Sequence, residues 1–146
     1  MKSLAVIEKF ESASLEWIND FENKYGIKIP CELKFFLSTQ NIFTTSENQF
    51  VKNGDTFEVH HFYPLHPESE LSLSVIYDAL HEYFESSFIP IGDDSGGWQY
   101  VVSIRDVDYG AVFFCRMDEE LENALTYLAE NVEVFINGLT SKENLV

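Results

Sequence analysis

Basic residues and cysteine are scarce in this sequence. The 146 residues include nine lysines and arginines against 25 aspartates and glutamates, so the formal net charge at pH 7 is −16. A protein that binds nucleic acid directly needs a basic surface to attract phosphates, and this composition argues against such binding. The two cysteines, Cys31 and Cys115, lie far apart and outside any Cys-x-x-Cys context. We therefore predict reduced thiols and no disulfide framework.

The sequence also has no long apolar run. The apolar stretch near the N-terminus ends at Glu8, which leaves it short of the roughly 7 to 15 residues that a secretory signal needs. No other segment approaches the ~20 apolar residues of a membrane-spanning helix. These absences predict a cytoplasmic protein with no membrane partner.

Segments of the sequence that look like catalytic or metal-binding motifs do not have the spacing that those motifs require. His81 begins a segment like a zinc-protease helix, but Glu85 stands where the second histidine ligand belongs. Asp94 occupies the centre of a nucleophile-elbow spacing that requires a serine. His60 and His61 are consecutive in a predicted strand, where neighbouring side chains point to opposite faces. EF-hand, Walker and dinucleotide-binding patterns are missing as well. We predict that the protein is not an enzyme and binds no metal or cofactor.

Apolar and acidic residues are what the sequence does contain. The composition is 45% hydrophobic, with 13 phenylalanines, and the length is close to the commonest domain size, so we expect one domain over residues 1–146. Residues 1–40 hold five basic and six acidic residues, whereas residues 41–146 hold four basic and nineteen acidic residues. The negative field of the later part provides solubility or attracts a basic partner.

Local patterns predict helices in the first part of the chain. Ser14 is a suitable N-cap for an amphipathic helix that stops at Gly26. Pro30 suits the first position of a second helix. The apolar residues of the segment 4–10 predict a shorter helical turn before both, and a third helix is predicted over residues 73–84.

Strand patterns follow from residue 48 onward. Asn53-Gly54 predicts a hairpin with a type I′ turn between residues 48–52 and 56–63. Further strands are predicted at residues 88–91, 98–105 and 111–117, and a long closing helix is predicted over residues 121–139. This order indicates an α+β fold, with an antiparallel-rich mixed sheet covered on one side by helices.

Three motifs carry a resemblance to a known family. They are Glu22 with Tyr25-Gly26-Ile27-Lys28-Ile29-Pro30, Leu33 and Phe36-Leu37; then Phe88-Ile89-Pro90-Ile91-Gly92-Asp93-Asp94-Ser95-Gly96-Gly97-Trp98; and finally Val132-Glu133-Val134-Phe135-Ile136-Asn137-Gly138-Leu139. In this order, and over about residues 12–139, the sequence resembles the SUKH superfamily (SMI/KNR-type domains), in its branch of bacterial immunity proteins.

The resemblance implies a single SUKH-like α+β domain without catalytic activity. Bacterial members commonly bind and neutralise a toxin encoded beside them, often one that acts on nucleic acids. Related domains serve as regulatory protein–protein interaction adaptors, and this alternative stays open. A toxin that acts on nucleic acids must attract phosphates, so we expect a basic toxin domain as the partner.

Acidic loop residues are the predicted binding site for that partner. Loops carry binding more often than buried strands do, which selects Asp93, Asp94, Asp106, Asp108, Glu119 and Glu120. Trp98 is added to this set, because tryptophan serves both as a core residue and as an interface anchor. The sequence leaves these two roles of Trp98 open.

Overall fold

The structure, a computed structural model, describes residues 1–145. Its helices and strands follow one another in this order: β1 (Val6–Lys9), α1 (Leu15–Tyr25), α2 (Cys31–Thr39), β2 (Ile42–Thr45), β3 (Gln49–Lys52), β4 (Asp55–Glu58), β5 (His61–Phe62), α3 (Leu73–Leu80), β6 (Phe88–Asp93), β7 (Gln99–Ser103), β8 (Val112–Cys115), α4 (Leu121–Ala124), β9 (Leu125–Ala129) and α5 (Val132–Gly138). Short 3-10 turns cover Asp106–Asp108 and Lys142–Asn144. None of the described helices is long and apolar enough to cross a membrane.

Five strands form the central sheet in the order β5-β6-β7-β8-β9, and every pairing is antiparallel. Two further antiparallel pairs, β1 with β2 and β3 with β4, lie outside it. Pro90 is inside β6, and the strand register shifts between Pro90 and Gly92. Proline has no backbone N–H to donate, and a bulge interrupts the ladder of hydrogen bonds at this point, so the strand tolerates it. The predicted α+β fold with an antiparallel-rich sheet is confirmed.

Helix α1 begins and ends at the predicted residues. The Ser14 hydroxyl accepts the backbone N–H of Trp17 at 3.1 Å, and Gly26 takes a left-handed conformation with φ of 66°. Near its end, the buried Glu22 carboxylate accepts the backbone N–H of Ile29 at 2.7 Å and pairs with Lys34 at 3.1 Å. These bonds tie α1 to α2. Helix α2 begins at Cys31, one residue later than predicted, and Pro30 is its N-cap and not its first residue.

The β3–β4 hairpin confirms the predicted turn. Asn53 and Gly54 have φ angles of 53° and 84°, and positive values at both central residues are what a type I′ turn requires. Strand pairing runs from Lys52 opposite Asp55 to Gln49 opposite Glu58. The hairpin therefore projects as a two-stranded ribbon that packs against the central sheet.

Apolar side chains are buried on both faces of the central sheet. Alternate residues of β7 divide between them: Tyr100 and Val102 belong to the main core, which α1, α2, α3 and α5 share, while Val101 belongs to a smaller cluster. That smaller cluster includes Phe84 and Phe88. Phe84 lies in a turn after α3, which ends at Leu80 and not at residue 84 as predicted.

The predicted helical turn at residues 4–10 is wrong. Val6–Lys9 form a strand that pairs with β2, and the backbone carbonyl of Ala5 accepts the Thr45 hydroxyl at 2.8 Å. Leu4 is buried, whereas Val6 and Ile7 are exposed. The three-residue spacing of apolar residues matched a helix by sequence, but the segment gains its backbone partners from residues about 35 positions away.

The predicted long closing helix at residues 121–139 is also wrong. The chain forms α4, then the edge strand β9, in which Leu125 lies opposite Cys115 and Ala129 opposite Val112, and then α5. The Asn131 side chain accepts the backbone N–H of Val134 at 2.9 Å and so begins α5 as a separate helix. The later residues of the apolar stripe that predicted this helix are buried, whereas Leu121 and Leu125 are half-buried. Residues Leu125–Ala129 pair with β8 and so join the sheet.

Candidate functional site

An open groove lies at one end of the central sheet, between the β3–β4 hairpin and the β6–β7 turn. Its volume is about 310 Å³, and hairpin, turn and sheet all contribute to its lining: Thr56, Phe57, Glu58, Asp94, Ser95, Trp98, Tyr100 and Phe114. We call it the aromatic groove, because four of these residues are aromatic. No lysine or arginine is among them.

The floor of the aromatic groove is centred on Phe114. Its ring centroid lies 5.1 Å from that of Tyr100, 5.3 Å from that of Phe57 and 5.9 Å from that of Trp98. Tyr100 is fully buried and its hydroxyl donates to the backbone carbonyl of Glu58 at 2.6 Å. Burial raises the pKa of Tyr100, so the phenol stays protonated and fixes the hairpin to the sheet.

Asp94 holds the glycine-rich turn in shape. One of its carboxylate oxygens accepts the backbone N–H groups of Gly96 and Trp98, both at 2.9 Å. Gly97 has a φ of 89°, a conformation that favours glycine. The carboxylate therefore brings negative charge to the rim of the groove and at the same time positions the backbone of Trp98.

Asp93 is engaged on the other side of the same turn. Its carboxylate accepts the backbone N–H of His61 and contacts the Nδ1 of that ring, both at 3.1 Å. The ring of His61 stacks on Phe43, with centroids 4.6 Å apart, and meets the ring of His60 at 4.0 Å. The prediction that His60 and His61 point to opposite faces is wrong, because β5 begins only at His61.

Asp106 and Asp108 lie at the opposite end of β7. The Arg105 guanidinium and the Ser103 hydroxyl both donate to Asp108. Burial raises the pKa of Asp108, but the hydrogen bonds from Arg105 and Ser103 outweigh it, and the net pKa is lowered. Asp106 is exposed. Because β7 spans five residues at about 3.3 Å each, these two residues are far from the aromatic groove.

Glu119 and Glu120 belong to a third region, the connection between β8 and α4. Glu119 pairs with Arg116 at 2.7 Å, and its backbone carbonyl accepts the Tyr83 hydroxyl at 2.7 Å. Burial, followed by the nearby Cys115 thiol, raises the pKa of Tyr83 to about 12, so this donor is protonated at neutral pH. Glu120 is exposed and precedes α4, which has four residues and not the predicted length.

The structure thus brings together only part of the predicted site. Asp94 and Trp98 share the aromatic groove, whereas the other acidic residues lie beside it or in two separate regions. The ring of Trp98 packs edge-on against Phe114 and also lines the groove, so Trp98 contributes to the core, and its role as an interface anchor stays a prediction. Sequence reasoning missed Phe57 and Glu58, and the hairpin signal of Asn53-Gly54 could have indicated only that both lie in a projecting ribbon.

A metal site is not built by the residues that the structure describes. Across residues 1–145 there is no group of three or more histidine, cysteine, aspartate or glutamate side chains that could hold a metal ion. The aromatic groove instead offers ring faces with carboxylates at the rim. Such a surface suits a lysine or arginine side chain, whose cation is attracted to an aromatic face by about 0.5–2 kcal/mol.

Comparison with known proteins identifies a family for this chain. The family model described as SMI1 / KNR4 family (SUKH-1) matches residues 12–138. This range includes the helices α1 and α2, the β3–β4 hairpin and all five strands of the central sheet. No curated protein matches the chain.

Proposed function

The chain belongs to the SMI1 / KNR4 family (SUKH-1), as its resemblance to SUKH domains predicted, and from this premise we propose that it is a non-catalytic immunity protein. In this proposal it binds and neutralises a cognate bacterial toxin that acts on nucleic acids. The partner is a basic toxin domain, and the bound complex blocks the surface that the toxin needs for its substrate.

The observation that carries this proposal is the aromatic groove with its acidic rim. A toxin that binds phosphates exposes lysine and arginine side chains. The half-buried rings of Phe57 and Trp98, packed on the buried Phe114, provide complementary chemistry for them together with two carboxylates. The chain contains its own example of this chemistry. Arg105 lies 4.7 Å above the ring of Phe88 and 5.8 Å from that of Phe113, and pairs with Asp108.

The net charge and the groove act at different stages of binding. A net charge of −16 attracts a basic partner over distances that salt limits to about 8 Å at physiological ionic strength, and so raises the association rate. Contact with Trp98 and its neighbours excludes water and slows dissociation, as buried aromatic anchors do. Charge therefore controls how fast the partner arrives, and the aromatic floor controls how long it stays.

Co-expression with the product of the adjacent gene tests the proposal most directly. We expect growth to be rescued from the toxin and the two proteins to copurify as a stable complex. A toxin active domain that kills equally well in the presence of the folded protein, and that does not copurify with it, would falsify the immunity hypothesis. Weak binding to several host proteins would support the adaptor function instead.

Variants of the rim test the groove itself. We expect the double change Asp94→Asn with Glu58→Gln to slow association with the toxin by about threefold to tenfold at low salt, because two carboxylates of the rim lose their charge. The asparagine keeps an oxygen that can accept the two backbone N–H groups of the turn. Association rates measured by stopped-flow fluorescence at several salt concentrations provide the readout.

The matched control removes the same charge elsewhere. Asp118 and Glu130 are exposed and do not line the groove, and Asp118→Asn with Glu130→Gln changes the net charge by the same amount. Equal association rates for the two double variants would show that net charge alone steers the partner, and the aromatic groove would then be rejected as the docking site.

A further inference from the structure

A second cleft lies between α1 and the connection from β5 to α3. Trp17, Phe21 and Tyr25 form the helical wall, and Leu65 and Pro67 form the wall from the connection. The volume of this cleft is about 170 Å³. We call it the helix cleft. None of its lining residues belongs to the aromatic groove.

We propose that the helix cleft is a second binding surface, which takes one aliphatic side chain from a basic linear segment of a partner protein. Its volume decides the size of the ligand. Pockets for drug-sized ligands and cofactors measure about 300–1,000 Å³, so a cleft of about 170 Å³ is too small for them, but it can hold one leucine-sized side chain. This proposal is independent of the toxin hypothesis and of the aromatic groove.

The connection wall of the cleft is held in place before any partner arrives. The fully buried Asn41 side chain accepts the backbone N–H of Leu65 at 2.9 Å and donates to its carbonyl at 3.0 Å. The ring of the next residue, His66, packs edge-on against that of Trp17, with centroids 5.1 Å apart, and accepts the backbone N–H of Glu68 at 3.1 Å. A ligand therefore meets ordered residues, which lowers the entropic cost of binding.

The helical wall is equally well supported. The ring of Tyr25 packs on those of Phe21 and Tyr77, with centroids 5.0 Å and 4.6 Å apart. Its hydroxyl donates to the backbone carbonyl of Ser74 at 3.3 Å. Trp17 and Tyr25 are eight residues apart on one helix, so they lie on the same face at a separation of about 12 Å. An extended segment can cross the cleft between these two rings.

The charge around the cleft indicates a basic ligand. Asp20 lines the cleft and is exposed, Glu16 lies one position before Trp17, and the Asp78 carboxylate lies 3.4 Å from the Tyr25 hydroxyl. One lysine, Lys24, opposes them, and its Nζ lies 5.2 Å from the centroid of the Tyr25 ring. A segment with arginine or lysine on both sides of an aliphatic anchor complements this surface.

The two tryptophans of the chain make the proposal measurable. The sequence contains two tryptophans; Trp17 lines the helix cleft and Trp98 lines the aromatic groove. In a Trp98→Phe variant, tryptophan emission reports on the helix cleft alone. The probe, called the leucine peptide, is Arg-Arg-Leu-Arg-Arg with acetylated and amidated ends. Two control peptides are the glycine peptide, in which glycine replaces the leucine, and the glutamate peptide, in which glutamates replace the arginines.

We expect the leucine peptide to shift the Trp17 emission to shorter wavelength with a saturable binding curve. The glycine peptide should bind at least about fivefold more weakly, as expected for loss of a hot-spot side chain, and the glutamate peptide should not saturate. Equal binding of the leucine and glycine peptides would overturn the proposal, because attraction would then be charge alone. An emission shift on concentrating the protein without peptide would also overturn it, since a second copy would then be the occupant.

Two substitutions on α1 should act in opposite directions. Asp20→Asn should weaken binding of the leucine peptide, and Lys24→Gln should strengthen it, each by about twofold to fivefold, which corresponds to one partly exposed charge pair. Asp118→Asn, an exposed residue outside the lining of the cleft, serves as the charge control and should leave the affinity within about twofold, as expected for such a surface change. Identical affinities for all three variants would reject the helix cleft as the binding site.

Discussion

Two acidic turns lie at opposite ends of β7, residues 94–98 before the strand and residues 104–111 after it. In the first turn Asp94 accepts two backbone N–H groups and stays at the rim of an open groove. In the second turn Asp108 is paired with Arg105, and this arginine lies across the rings of Phe88 and Phe113. The aromatic rings beside the first turn line an open groove, whereas those beside the second turn are covered by the guanidinium of Arg105.

This difference shows what an acidic residue in a sequence does not reveal. From the sequence, both turns are predicted to be negative loops suited to binding, yet in the second turn one of the two carboxylates, Asp108, is neutralised by an arginine of the chain itself. In the second turn, aromatic rings next to a carboxylate hold an arginine of the chain itself, and in the proposed function the same attraction acts on a partner's cation at the first turn. Where the chain provides the arginine, the result is stability; where it does not, the surface is available to another protein.

Removal of the internal arginine should have the largest effect. Arg105→Ala uncovers two aromatic rings and leaves Asp108 without its partner, so we expect the free energy of unfolding to fall by about 2 kcal/mol after allowance for the exposure of the guanidinium. Urea denaturation followed by circular dichroism measures this change. The side chain is 37% exposed, which is why a larger loss is not expected.

Arg116 provides a matched comparison for this variant. It too pairs with an acidic residue three positions later, Glu119 at 2.7 Å, and it also donates to the backbone carbonyl of Asn123 at 2.8 Å. Within residues 1–145, however, no aromatic ring lies beneath its guanidinium. Arg116→Ala should therefore cost about 0.5–1 kcal/mol, as a surface pair does. If both alanine variants lose the same stability, the rings under Arg105 contribute nothing and the comparison of the two turns fails.

The first turn should respond to loss of hydrogen bonding and not to loss of charge. Asp94→Ala removes the acceptor of two backbone N–H groups and should lower the free energy of unfolding by about 1–2 kcal/mol. Asp94→Asn keeps an acceptor oxygen and should stay within about 0.5 kcal/mol of the parent. Denaturation curves of the two variants, recorded side by side, separate these contributions. An asparagine variant as unstable as the alanine variant would mean that the charge itself maintains the turn.

Local sequence signals predicted the parts of the fold that local contacts determine. Helix α1 begins after Ser14 and ends before Gly26 as predicted, because an N-cap and a C-cap residue act within one helical turn. Asn53-Gly54 predicted the hairpin for the same reason. The predictions for residues 4–10 and 121–139 were wrong because β1 and β9 obtain their backbone partners from other strands, and an apolar spacing of three or four residues does not exclude a strand.

The aromatic groove could be predicted only in part. Its turn carries a readable signal, since Asp94 and the glycines that follow predict a loop near Trp98. Phe57 and Phe114 lie in different parts of the sequence and meet because the hairpin packs across β7 and β8. The pairing of Asp108 with Arg105 was equally hidden, although three residues separate them, because the sequence does not tell which charges face each other in a turn.

Acid pH should give the smallest and most specific difference between the two turns. Because the pKa of Asp108 is lower in the folded protein than in the unfolded chain, its contribution to stability is present above the unfolded value of about 4 and is lost as the pH falls through the folded value. Asp108→Asn should therefore flatten the decline of the free energy of unfolding below about pH 5, and Ser103→Ala should flatten it partly. Glu47, whose pKa is lowered by the backbone N–H of Ala5 and by Lys2, supplies a second part of the acid slope that both variants keep. Urea titrations at several pH values measure the slopes, and an Asp108→Asn variant that retains the full acid slope would show that Arg105 and Ser103 do not stabilise the charged carboxylate.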